Sequence, residues 1–219
     1  MPKLKWDQTG ERLYETGTKN AALFPLSDAG AYEKGIAWNG MVAVRQSPDG
    51  AEETPLYADD IKYLSMYSAE NFKGTIEAFT YPEEFAACDG SAEITPGVYI
   101  SQQNRRAFGL AYITTVGNDT MGNDYGEKLH VIYNAKVSPS ERSYETINDT
   151  PNAITFSWEF TTTPVTVDRP KTRPTAHMVF DSTKLDEAKW KLLMDKVYGG
   201  ESEEATLPTP DELITLVSA

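Results

Sequence analysis

The segment from Ala153 to Thr161 constrains this chain more than any other. Its apolar side chains Ile154, Phe156, Trp158 and Phe160 alternate with Thr155, Ser157, Glu159 and Thr161. A period of two places every second side chain on one face of an extended backbone, so the segment predicts a half-buried strand. Lys128 to Val137 repeats the pattern, with Leu129, Val131, Tyr133, Ala135 and Val137 inward and Lys128, His130, Asn134 and Lys136 outward, interrupted only by Ile132. Phe108 to Val116 aligns Phe108, Leu110, Tyr112, Thr114 and Val116 in the same way.

Weaker alternation predicts strands at Gly35 to Gln46, Lys73 to Tyr81 and Thr175 to Asp181, with short candidates at Glu11 to Thr16, Ile61 to Tyr67 and Arg142 to Ile147. Turn-forming clusters separate them, among them Ser47-Pro48-Asp49-Gly50, Asp59-Asp60, Asp89-Gly90 and Gly117-Asn118-Asp119. Two helices are expected in the body of the chain. Thr183 to Tyr198 begins with a Thr-x-x-Asp capping pattern, carries Trp190, Leu193, Met194 and Val197 as one stripe, and stops at Gly199-Gly200. Pro82 to Cys88 starts with Pro-Glu-Glu, a favourable first turn. Many strands with helices confined to a few places predict a mainly β chain: an antiparallel β-sandwich or barrel with a flanking α-helix.

The chain divides on this reading into a domain over residues 1–198 and an acidic linker with a C-terminal docking segment over 199–219. Thr209 to Glu212 again has a capping pattern, but the segment behind it is short, and its β-branched residues equally suit an added strand. A long loop is expected over 17–35, exposing Leu23, Phe24 and Leu26. Together with Leu213, Ile214 and Leu216 of the tail, these are the candidate contacts between subunits or rings.

Charge and composition exclude several classes of function. The 219 residues hold 33 Asp+Glu against 20 Lys+Arg, a net charge of −13, so the chain lacks the cationic surface with which proteins grip phosphates. One cysteine, Cys88, rules out an intrachain disulfide, and no Cys/His cluster has zinc spacing. No apolar run approaches a membrane span and the first residues lack a signal-peptide core, so neither export nor a bilayer is expected.

Catalytic chemistry has little to stand on. Cys88 lies in Ala86-Ala87-Cys88, a setting for a small buried hydrophobe rather than a nucleophile served by His130 or His177, and both histidines read as surface or interface residues. Asn118, Asp119, Asn123 and Asp124 supply oxygen atoms, but without the alternating spacing and closing glutamate of a calcium loop they read as hairpin-turn residues. No phosphate loop, nucleophile elbow or zinc-protease helix occurs. No catalytic residue, metal or cofactor is expected. With twelve Tyr and four Trp, a sugar-binding sandwich is the alternative, although periodicity already assigns Trp38, Trp158 and Trp190 to the core.

An ordered set of short segments runs through Lys34 to Gly40, Ser47 to Glu53, Tyr57-Ala58-Asp59, Glu77 to Phe85, Cys88-Asp89-Gly90, Phe108-Gly109-Leu110, Gly117-Asn118-Asp119 and Lys128-Leu129-His130. It ends with Ser138 to Arg142, Thr146 to Asp149, Phe156 to Glu159 and Thr161 to Val165. Taken in this order, the set resembles the major tail proteins of long, non-contractile-tailed bacteriophages. The similarity is good over about 35–167 and loose elsewhere, and Glu127 stands where the pattern has an aromatic residue.

The resemblance implies a tail-tube-like β-sandwich with a flanking helix. It implies six copies in a ring, and rings stacked into a tube that meets the tape measure, terminator and distal tail proteins. It also implies that the chain is made in the cytoplasm of the host bacterium and ends in the virion tail, where DNA passes through the tube without specific binding. The acidic balance suits that role, because negative groups on a bore repel DNA within a Debye length of about 8 Å. Glu77 and Glu159, on polar strand faces, are the candidate lumen-facing acids. Open sheet edges would be completed by neighbouring copies.

Overall fold

The computed structural model describes residues 3–147, 149 and 152–218, so Asn148 of the Thr146 to Asp149 segment and the last residue of the C-terminal segment lie outside it. In chain order, strands β1 (Leu13–Pro25), β2 (Ile36–Trp38), β3 (Met41–Gln46), β4 (Asp49–Gly50), β5 (Glu53–Ala58), β6 (Ile61–Tyr67), β7 (Glu70–Asn71) and β8 (Lys73–Ala78) precede helix α1 (Phe85–Asp89). A small hairpin, β9 (Ala92–Thr95) and β10 (Val98–Ile100), leads to the long strands β11 (Phe108–Asn118) and β12 (Gly122–Val137). Strands β13 (Phe156–Thr162) and β14 (His177–Asp181) and helices α2 (Glu187–Tyr198) and α3 (Pro210–Ser218) complete the fold.

Eight strands make one antiparallel sheet in the order β2-β1-β11-β12-β13-β8-β3, with β14 also on β12. Strand β12 is long enough to serve two partners along one edge. Lys128 to Ile132 pair with β14, whereas Ala135 to Val137 pair with β13. The sheet therefore divides there into two layers, β2-β1-β11-β12-β14 and β13-β8-β3, and it curls until β3 touches β1. This is the expected mainly β, sandwich-like architecture with flanking helices.

Two cores follow from that curl. Trp38, Ile76, Phe85, Phe108, Leu110, Trp158 and Phe160 fill the space between the layers, where the Trp38 ring lies 4.4 Å from Phe85 and 5.7 Å from Trp158. The other side of the first layer is buried as well, because Ala111, Ile113, Leu129, Val131 and Tyr133 pack under Leu193 and Val197 of α2 and Leu213 of α3. The β11 and β12 segments are thus buried on both faces.

Several expectations need correction. Residues 17–35 are not one exposed loop, since β1 runs to Pro25 and Leu23 and Phe24 are wholly buried, one in each core. Ladder shifts around Lys19, with Gly17 and Asn20 at positive φ, let this strand turn its polar stretch aside and continue. Leu23 and Phe24 are therefore unavailable as contacts between subunits. Leu213 is equally buried, because the C-terminal segment docks on its own domain as a helix with Leu216 packed against the same core. A reciprocal cap opens that helix: the Thr209 N–H donates to Glu212 Oε2 at 2.8 Å and the Glu212 N–H to Thr209 Oγ1 at 3.4 Å.

Helix α2 begins one turn later than the sequence predicts, because Thr183 donates through its N–H and hydroxyl to Asp181 instead of capping. Arg142 to Ile147 forms no strand: Arg142 turns to Asp89, and Tyr144 and Ile147 are exposed with no layer to cover them.

Candidate assembly surfaces

Strands β3 and β8 pair antiparallel, with an irregularity between Met41 and Ala43, and the chain between them continues the same ribbon outward. Asp49 and Gly50 of β4 pair with Asn71 and Glu70 of β7 to form a neck, braced by the Lys73–Asp49 ion pair at 2.8 Å. Beyond it β5 and β6 form a free-standing hairpin whose tip is Asp59-Asp60, both at positive φ as a two-residue hairpin turn requires. Every residue from Glu53 to Tyr67 except Ser65 is exposed.

The register sorts this arm into two faces. Thr54 lies opposite Met66, Leu56 opposite Leu64 and Ala58 opposite Ile61, which makes one face almost wholly apolar. Glu53, Pro55, Ser65 and Tyr67 occupy the other, where Glu53 accepts from both Lys62 and Ser65. Ile61 is 64% exposed and Met66 56%. The sequence pattern predicts β6 and not β5. The turn at Asp59-Asp60, with apolar residues on both sides of it, was the available signal.

A second surface is the uncovered face of β3-β8-β13. Inward residues Val44, Ile76, Trp158 and Phe160 leave Arg45, Thr75, Glu77, Ser157 and Glu159 on the outside. Glu77 stands opposite Ser157, and Glu159 opposite Thr75, so the two candidate lumen acids share this face. Glu77 accepts two hydrogen bonds of 3.0 Å from Arg45, which hold its carboxyl below the usual range and offset its charge. Among the described residues Glu159 has no ion pair. The face is polar, but it is not strongly acidic.

A third surface is the end strand β2. A groove of about 790 Å³ runs beside it, between Ile36 to Met41 and the Gly199 to Ala205 segment behind α2. Leu26 sits at the rim of the fold, bridged to Tyr32, with its carbonyl accepting from Arg106. Ile214 is half-buried on α3.

The residues considered for chemistry are accounted for differently. Cys88 is buried in the inner core, and burial pushes its thiol up to about 12, so it carries no thiolate at neutral pH. Three of the four turn side chains accept hydrogen bonds: Asn118 Oδ1 from the N–H groups of Thr120 and Met121, Asp119 Oδ1 from Gly10 N–H, and Asn123 Oδ1 from the Tyr14 hydroxyl. Among the described residues no three potential ligands converge on a metal position. His130 is not a surface residue. It is buried between the layers, stacked on the half-buried His177, because the nominally polar face of β12 looks into the sandwich.

Among the described residues no helix is long and apolar enough to cross a membrane. No protein-family model matches the chain, and no curated protein is significantly similar to it.

Proposed function

We propose that this chain is a structural subunit of a phage tail tube, six copies closing into a ring and rings stacking into a conduit for genomic DNA. The reading rests on the ordered resemblance described above and is supported by a mainly β sandwich with α2 and α3 on one side. The observation that carries the self-assembly part is the arm at 53–67. A two-stranded ribbon is marginal alone in water, and this one holds Leu56, Ile61, Leu64 and Met66 on a single uncovered face. A neighbouring copy supplies the missing cover. The end strands β2 and β3 offer edges for the same purpose, and the polar face of β3-β8-β13 becomes the wall of the bore.

Negative-stain microscopy of the concentrated protein tests this directly. Tubes or six-fold rings are expected, and Leu56→Lys combined with Leu64→Lys should abolish them while leaving the melting temperature of the monomer unchanged. Featureless particles with affinity for glycans, carried by Tyr57, Tyr63 and Tyr67 of the arm, would instead favour a sugar-binding role.

A further inference from the structure

Where the two layers splay apart below β13, four rings stack across the opening. Phe72, just before β8, lies on His177 of β14 with centroids 4.7 Å apart and planes 16° from parallel. His177 lies on His130 of β12 at 5.5 Å and 13°, and His130 on Tyr112 of β11 at 4.7 Å and 4°. The stack joins the layers at both ends. Phe72 belongs to the β8 side, and the Tyr112 hydroxyl accepts from Gln46 of β3 at 2.8 Å.

The hydrogen bonds through the stack have a fixed direction. The Thr114 hydroxyl donates its one proton to Glu15 Oε1 at 2.7 Å, so at 3.0 Å it can only accept from His130 Nε2–H. That tautomer leaves His130 Nδ1 as an acceptor, and His177 Nε2–H donates to it at 3.3 Å. The charged groups facing the pair are Glu15 of β1 and Lys128 of β12, themselves an ion pair, while Tyr112, Gln46 and Phe72 face it from β11, β3 and the β8 side without charge. Glu15 Oε1 is 3.5 Å from His130 Nε2 and can offset one positive charge there.

A second charge has no such partner. With both rings protonated, His130 Nδ1–H and His177 Nε2–H point at each other across a contact that tolerates only one hydrogen, between two stacked cations of which His130 is buried and His177 half-buried. We propose that the His130–His177 pair is an acid-sensitive latch: closed with at most one proton on the pair, and opened when a second proton drives β14 away from Phe72 and separates the layers at this end.

The sign of the pH dependence agrees. Burial holds both imidazoles below the ordinary 6.5, His177 down to about 4 with neighbouring His130 adding to the effect. An opened chain binds protons more readily, so the closed seam loses stability as pH falls from 6.5 through 4.

The test follows a fluorescent hydrophobic dye and far-UV circular dichroism on the whole chain from about pH 7 down to about pH 2. Dye binding should rise around pH 4 before the strand signal is lost, and His177→Phe, which keeps the stack but cannot titrate, should move that rise down by about one pH unit or more. An unchanged midpoint in a folded His177→Phe protein overturns the latch. If that variant does not fold, histidine NMR of the unaltered protein decides. Two coupled titrations, the lower coinciding with the dye transition, support the proposal, and two independent titrations near 6.5 refute it.

Discussion

Tyr133 and Ala135 are two positions apart on β12 yet face opposite cores, Tyr133 beneath the helices and Ala135 between the sheet layers. Asn134 between them causes the switch. Its φ is +49°, and Phe108 pairs with Ala135 while Leu110 pairs with Ile132, so two residues of β12 oppose one of β11. The Asn134 N–H, turned out of the ladder, donates to the Tyr32 hydroxyl at 2.9 Å. Asn134→Val should cost about 1–2 kcal/mol, because a β-branched residue resists the left-handed region, whereas Asn134→Gly should be nearly neutral. Thermal melts of the two variants separate this from a simple loss of side-chain contacts, which would affect both alike.

The same bulge shows how far the sequence could be read. Alternation revealed the strands because one face of each is apolar, but in β12 it assigned Leu129, Val131, Tyr133, Ala135 and Val137 to a single face that the bulge divides between two cores. Ile132, the apparent interruption, was the sign that the opposite face is buried too. Most of strand β1 escapes the same pattern for a related reason. Ala21 to Pro25 is buried on both sides and has no alternation to detect, and its bulged approach through Gly17 and Asn20 looks like a loop. The polar face holding Glu77 and Glu159 was legible. The arm's apolar face was not, since pairing between β5 and β6 sets it and neither strand alone shows it.

Helix α3 is predicted to be integral to the domain. Leu207 and Leu213 are buried against the β11-β12 surface, and the Tyr133 hydroxyl donates to the Pro208 carbonyl at 3.0 Å. Truncation after Gly200 would uncover that surface. Leu213→Ala should lower stability by about 2–5 kcal/mol in urea titrations, and the truncated chain should lose its cooperative transition or melt well below the full chain. A truncated chain melting with the full one would make the segment a passive tail.

Cys88 should be chemically silent in the native state. Its thiol is enclosed by the inner core, and burial keeps it protonated at neutral pH. Alkylation at pH 8 should be negligible in buffer and complete in strong denaturant. Cys88→Ala should cost only about 1 kcal/mol, the scale of a small cavity, as measured by the shift of the urea midpoint. Rapid modification in buffer would mean that α1 opens readily and that this core is less tightly closed than its packing indicates.

The charge of the β3-β8-β13 face gives the prediction closest to the proposed function. Arg45 and Glu77 offset each other, which leaves Glu159 as the acid without an ion pair on that face among the described residues. Both glutamates project away from the core, so Glu159→Lys or Glu77→Gln should leave folding within about 0.5 kcal/mol of the unaltered protein. Assembly repeats each change around every ring, and a bore lined with lysines would meet DNA with many phosphate contacts whose strength falls steeply with salt. Tubes of Glu159→Lys should therefore retain added DNA in sedimentation assays at low salt and release it at high salt, while unaltered tubes retain little at either. Equal retention by both would place this face outside the bore and would move the wall of the proposed conduit to another surface of the subunit.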